Sequence, residues 1–455
     1  MLQDIRRSVN NLRPVVSVAV ITALVLVFAS GCADSRLPSS STYSDRFDAP
    51  VATQSTFALP KIPVSTTTQL REPTESFTVH ELDAKPKIGT VFETLLSRLP
   101  DNEITRSYTR MIDFGGALDA LELERIVPGA THDEQNEYVE YLLGFSNAFN
   151  LSPVIHAWPT DQRDYRKIID TYPDLAFDWM SVEASANSST YFWGMSSGSN
   201  NGVPISYDVA LGRFDPEITE EALTACDCDQ PDIREHEGIE YFRWGEGDGT
   251  GFISDRNTRP FYDHIGRGPD LLVRDGEAYY SINDGVIEEH IEVIQGTLPS
   301  LADATNYVEA VQWMSSLGVI SEITFRNRGF STQAVVELRE RSKLALADDI
   351  EAQPLLLPFE YVVSGAGFDG ERDFTGLVVA HSDSESAGVN LDRALTRLFE
   401  GVARRQAPGR FTLWTELIDR IDIKADGKFL IARIYFTQSN GLASFLIPNT
   451  LLVHE

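Results

Sequence analysis

One order of elements occurs twice in this chain and restricts its architecture more than any other feature. Tyr207 to Phe214 alternates as a strand, Asp215-Pro216-Glu217 supplies an N-cap with proline at the first helical position, and Ile218 to Thr224 reads as the helix. A hairpin follows, its strands meeting near Glu237-Gly238. The order returns at Leu377 to Phe436: a strand at Leu377-Val378-Val379-Ala380, a cap at Asp383-Ser384-Glu385, a helix at Val389 to Phe399, and a hairpin turning at Asp426-Gly427. This pattern predicts an α+β fold of duplicated β-α-β-β units. Their sheets should be mainly antiparallel or mixed, with the helices on one face.

The remaining elements are read in the same way. Thr90 and Glu93 form a capping-box pattern that opens a short helix through Leu99, and Asp101 after Pro100 makes a turn. Ser107 to Phe114 alternates as a strand and Ala117 to Glu124 suits a short helix. Thr131 to Glu134 is a second capping box, opening a helix with Tyr138, Tyr141, Leu142 and Phe145 on one face. Another helix is expected over Asp161 to Thr171. A second hairpin turns at Asp275-Gly276, Asp284 should cap a helix through Ile294, and Ser300 to Ser316 reads as a further helix. Val319 to Phe325 then reads as a strand and Ser331 to Ala347 as a helix.

The N-terminus reads as an address. Arg6, Arg7 and Arg13 precede Val15 to Ala29, a run without charge that has the length and position of a signal-peptide core. A spanning helix wants about 20 apolar residues, and this run ends early in Ala29-Ser30-Gly31-Cys32. Small residues followed by cysteine resemble the lipobox of bacterial lipoproteins, although Ala29 stands where a leucine is expected. The resemblance implies cleavage before Cys32 and a diacylglyceryl group on its thiol, the new N-terminus commonly being acylated. The alternative is an uncleaved anchor in which Cys32 is incidental. Either reading places the body outside the cytoplasm, on the membrane's far side from the three arginines.

Between Ala33 and Thr78, 21 of 46 residues are Ser, Thr or Pro with no helical or strand period, so this stretch reads as a linker. The expected organisation is a signal peptide at 1–31, the lipidated cysteine and disordered linker at 32–85, an α+β domain at 86–347, and a second α+β unit at 348–455. Segments Leu211-Gly212-Arg213-Phe214-Asp215-Pro216-Glu217, Pro299-Ser300-Leu301-Ala302-Asp303 and Leu451-Leu452-Val453-His454-Glu455 resemble those of uncharacterised bacterial lipoproteins. That resemblance supports location and fold and implies no catalytic residue.

A net charge of −30 disfavours nucleic acid, because the surface repels phosphate and no basic stripe with interleaved aromatics reverses this locally. Beside Cys32 only Cys226 and Cys228 occur, in a C-x-C spacing that reads as a small local disulfide or two inert thiols. A metal or redox site there would need further His or Cys ligands, and within ten residues only His236 offers one.

Gly194-Met195-Ser196-Ser197-Gly198 has the spelling of a nucleophile elbow, which would make Ser196 the nucleophile of an envelope hydrolase. The following Ser199 to Pro204 cannot start the helix that this turn requires. Glu246, Asp248 and Asp255, in and after a glycine-dense loop, offer oxygen ligands for calcium without the EF-hand spacing, and a calcium-dependent adhesion module is the third reading. Asp113-Phe114-Gly115 copies a kinase tripeptide without its partner motifs. His236-Glu237 is followed by Glu240 where H-E-x-x-H needs histidine. Trp193 and Trp244 end aromatic clusters that suit sheet packing or a ligand-stacking platform. The sequence reading is therefore a non-catalytic lipoprotein that binds an envelope protein or small ligand, with no cofactor.

Overall fold

A computed structural model describes residues 78–125, 182–189, 205–225, 231–244, 270–281, 283–327, 359–395 and 418–436. The helices expected at Thr131 to Phe145, Asp161 to Thr171 and Ser331 to Ala347 lie outside these residues. The described strands are β1 (Thr78–Glu81), β2 (Tyr108–Asp113), β3 (Val182–Ser189), β4 (Ser206–Gly212), β5 (Asp232–His236), β6 (Ile239–Arg243), β7 (Asp270–Arg274), β8 (Glu277–Ser281), β9 (Val319–Asn327), β10 (Tyr361–Phe368), β11 (Asp373–Ala380), β12 (Ile418–Asp426) and β13 (Phe429–Phe436). The helices are α1 (Val91–Leu96), α2 (Glu103–Ser107), α3 (Phe114–Ala120), α4 (Pro216–Ala225), α5 (Val286–Gln295), α6 (Thr305–Ser315) and α7 (Ser384–Arg393).

All thirteen strands join one sheet in the order β1-β12-β13-β11-β10-β9-β2-β3-β4-β8-β7-β6-β5. Every neighbouring pair is antiparallel except β1 with β12, so the fold is α+β on a mixed sheet, as the element order predicts. The sheet passes from β9 to β10 without a break. β1 lies within the 32–85 span expected as disordered linker, and its parallel pairing with β12 corrects that boundary by making Thr78–Glu81 one edge of the sheet.

Both repeated segments form strand, helix and hairpin, and the sheet shows how they correspond. Outward from the central β2–β9 pair, one side runs β3, β4, β8, β7 and the other runs β10, β11, β13, β12. α1 and α2 precede β2 as α5 and α6 precede β9, and α4 follows β4 as α7 follows β11. The hairpin matching β12–β13 is therefore β7–β8. β5–β6 is an addition at the edge of the first copy.

The helices do not all share one face. Tyr207, Val209, Leu272 and Tyr279 pack in the larger core with Ile287 and Ile291 of α5 and Val311 and Met314 of α6. The alternating positions Ala210, Leu271, Val273, Ala278 and Tyr280 pack instead with Leu223 of α4. Period-two side-chain alternation puts these sets on opposite faces, so α4 covers the side away from α5. A strand apolar at consecutive positions, such as Leu271-Leu272-Val273, needs cover on both faces.

Local chemistry sets the helix ends. The Glu93 carboxylate accepts from the backbone N–H of Gly89 at 2.8 Å and of Thr90 at 3.2 Å, the reciprocal half of the expected capping box. Asp383 Oδ1 accepts from Ser386 N at 2.7 Å at the start of α7. α5 stops at Gly296, whose φ of 74° is readily adopted by glycine. The helix expected over Ser300 to Ser316 is broken: Ser300 and Asp303 cap a 3₁₀ turn at Leu301–Asp303, and α6 starts at Thr305.

Candidate functional site

Charged side chains concentrate where β5–β6 meets α5. Glu237 and Gly238 sit at φ 49° and 80°, the paired positive values of a type I′ turn. α5 buries Ile287 and Ile291 in the core, which places Glu288 and Glu292 one turn apart on a different face. Tyr241 donates its hydroxyl to Glu288. Arg243 forks onto Asp270, Nε to Oδ1 at 2.8 Å and Nη2 to Oδ2 at 2.6 Å, and reaches Asp284 at 2.8 Å and Glu288 at 3.6 Å. One guanidinium thus meets three carboxylates.

This network corrects the reading of Asp284. Gly285, at φ 82°, occupies the cap position of α5, and the Asp284 carboxylate turns to Arg243. Farther along the helix, His236 Nε2 donates to Glu292 Oε1 at 3.2 Å. Gln295 Nε2 donates to the Glu237 carbonyl at 2.8 Å, so the hairpin tip is held by the last turn of α5. One donor atom from each of His236, Glu237 and Glu292 lies within 4.8 Å of the others.

A second polar feature crosses the sheet centre. Strand register aligns Asp208, Asn187, Arg110, Thr324 and Ser364 across β4, β3, β2, β9 and β10. Asn187 Nδ2 donates to Asp208 Oδ1 at 2.5 Å, and Arg110 Nε donates to Glu322 Oε1 at 2.7 Å. The row alternates with Met111, Ile323 and Val363, which face the larger core, and therefore lies on the other face. Burial pushes the Asp208 carboxyl up to about 7, against the pull of its Asn187 and Ser206 hydrogen bonds. Burial also lowers the Arg326 guanidinium. The polar phase was legible in Glu322-Ile323-Thr324-Phe325-Arg326; its alignment with distant strands was not.

Of the residues singled out in the sequence, Cys32, Ser196, Cys226, Cys228, Glu246, Asp248, Asp255 and Trp193 lie outside the described residues. Asp113 caps α3, its Oδ1 accepting from Gly116 N at 2.8 Å. Trp244 is buried in the core under α4 and packs near Phe242, with ring centroids 6.4 Å apart, which favours the packing reading over an open stacking platform. Among the described residues, His290 and His381 are interior. His290 donates through Nδ1 to the Arg98 carbonyl at 3.0 Å, and burial lowers its pKa to about 4. His381 lies between the Lys428 carbonyl and the Asn390 side chain.

No family model matches the chain, and no curated protein matches it. Solved structures similar to it include crystal forms I, III and IV of TP0453, each 10% identical, with TM-scores of 0.31, 0.32 and 0.33. The alignments cover 79, 77 and 80% of this chain and 97, 96 and 97% of that one. Likeness at this level carries no argument about function. Among the described residues, no helix is long and apolar enough to cross a membrane.

Proposed function

We propose that this chain is a lipid-anchored lipoprotein whose body lies outside the cytoplasm and binds an envelope protein or small ligand without catalysing a reaction. The observation that carries the reading is Cys32 directly after Ala29-Ser30-Gly31, at the end of an uncharged run preceded by Arg6, Arg7 and Arg13. The Ser/Thr/Pro-rich stretch that follows serves as a spacer. The full chain has a net charge of −30, so a partner with a basic or neutral face is favoured. The roles of Asp113, His290 and His381 in capping and core contacts support a structural use of these groups.

Metabolic labelling with a radiolabelled fatty acid tests the anchor. The wild-type chain should take up label, and Cys32→Ser should take up none and accumulate as the larger precursor. Equal labelling of both would overturn the proposal. Turnover of generic esters by the purified protein, lost in Ser196→Ala, would overturn its non-catalytic part.

A further inference from the structure

We propose that His236, Glu237 and Glu292 bind one divalent metal ion of the zinc type, which staples the β5–β6 hairpin to α5. The three residues supply one imidazole nitrogen and two carboxylate oxygens, a donor set suited to a borderline cation and poorly suited to calcium, which takes oxygen ligands. Their donor atoms already lie within 4.8 Å of one another. Two ligands at zinc bonding distance and a tetrahedral angle stand about 3.4 Å apart. His236 Nε2 and Glu292 Oε1 are 3.2 Å apart, so this pair can span the ion with little movement. Glu237 is exposed, and a rotation of its side chain brings in the third oxygen.

Backbone structure prepares the site. His236 ends β5, Glu237 is fixed by the I′ turn and by Gln295, and Glu292 stands on α5. With neutral histidine the triad carries charge −2, which a divalent ion balances. Binding moves the imidazole proton from Nε2 to Nδ1 and frees the Nε2 lone pair for the metal. The remaining coordination positions open to water.

The full chain carrying Cys226→Ser and Cys228→Ser, purified in detergent and stripped with a chelator, is titrated calorimetrically with zinc sulfate and, separately, with calcium chloride. Zinc should bind at one saturable micromolar site, and calcium should bind at least a hundredfold more weakly. His236→Gln and Glu292→Gln should each weaken zinc at least tenfold while circular dichroism stays unchanged. Absence of saturable binding, or binding that survives both substitutions, overturns the proposal. Should either variant misfold, hydrogen exchange on the unsubstituted triad decides. Zinc should slow exchange of the β5 and β6 amides, and unchanged exchange overturns the staple.

Discussion

Pro100 and Ser300 face each other across an isolated antiparallel bridge. On either side of it, Asp101 N–H donates to the Pro299 carbonyl at 2.9 Å and Leu301 N–H donates to the Leu99 carbonyl at 2.8 Å. The contact joins the Leu-Pro turn after α1 to the Leu-Pro turn after α5. Equivalent turns thus meet each other just as the equivalent strands β2 and β9 do. The two copies share backbone hydrogen bonds and one continuous core. Urea unfolding followed by far-UV and near-UV dichroism should therefore give coincident single transitions. Two separated transitions would show that the copies fold independently.

Gly365 and Gly388 should respond oppositely to the same substitution. A Cβ on Gly365 would stand 2.5 Å from the Glu322 backbone oxygen, and the sheet cannot yield there without disturbing β9–β10 pairing. Gly365→Ala should cost about 1–3 kcal/mol. Gly388 lies within α7 with nothing within 4 Å of an added Cβ. Gly388→Ala should stabilise by about 0.4–1 kcal/mol. Chemical denaturation of both variants checks the pair of signs.

Arg110 and Glu322 are 21% and 16% exposed, so removing one charge leaves the other poorly solvated. Arg110→Met should cost about 2–4 kcal/mol, less than a fully buried pair because both side chains keep some water. Adding Glu322→Gln should cost less in the Arg110→Met background than in the wild type. An additive double-mutant cycle would show that the pair is energetically uncoupled.

Acid should weaken the protein through His290. Its pKa is about 4 in the folded chain against 6.5 ordinarily, so the unfolded chain takes the proton first as pH falls. Stability from this group is therefore full above about pH 6.5 and falls towards pH 4, by about 3 kcal/mol in all. Asp208, raised to about 7, has the opposite sign, favouring the folded state at low pH. The difference between wild type and His290→Asn isolates the histidine: its slope should vanish above pH 7. A pH-independent difference would contradict the assignment.

Local signals made much of the fold legible. Asp215, Asp383 and the Thr90–Glu93 box mark helix starts because caps act within one turn of chain. β3 carries little strand signal because Val182-Glu183-Ala184-Ser185-Ala186-Asn187-Ser188-Ser189 has mostly small and polar side chains. β10 is equally hidden, because glycine occupies positions 365 and 367, where Phe374, Ile320 and the Glu322 carbonyl leave no room for a Cβ. Such residues lack strand propensity and depend on neighbours distant in sequence. The site was less legible still. Asp284 looks like a cap until Arg243 supplies another partner, and His236 meets Glu292 only because β5–β6 folds back onto α5.

The most direct measurement of the central claim is mass spectrometry of the N-terminal peptide of the mature chain isolated from membranes. The peptide should begin at Cys32 and carry the mass of a diacylglyceryl group on its thiol, with or without a further acyl chain on the amine. A peptide that continues upstream of Cys32, or an unmodified Cys32 in the membrane-bound protein, would contradict the lipid-anchored reading.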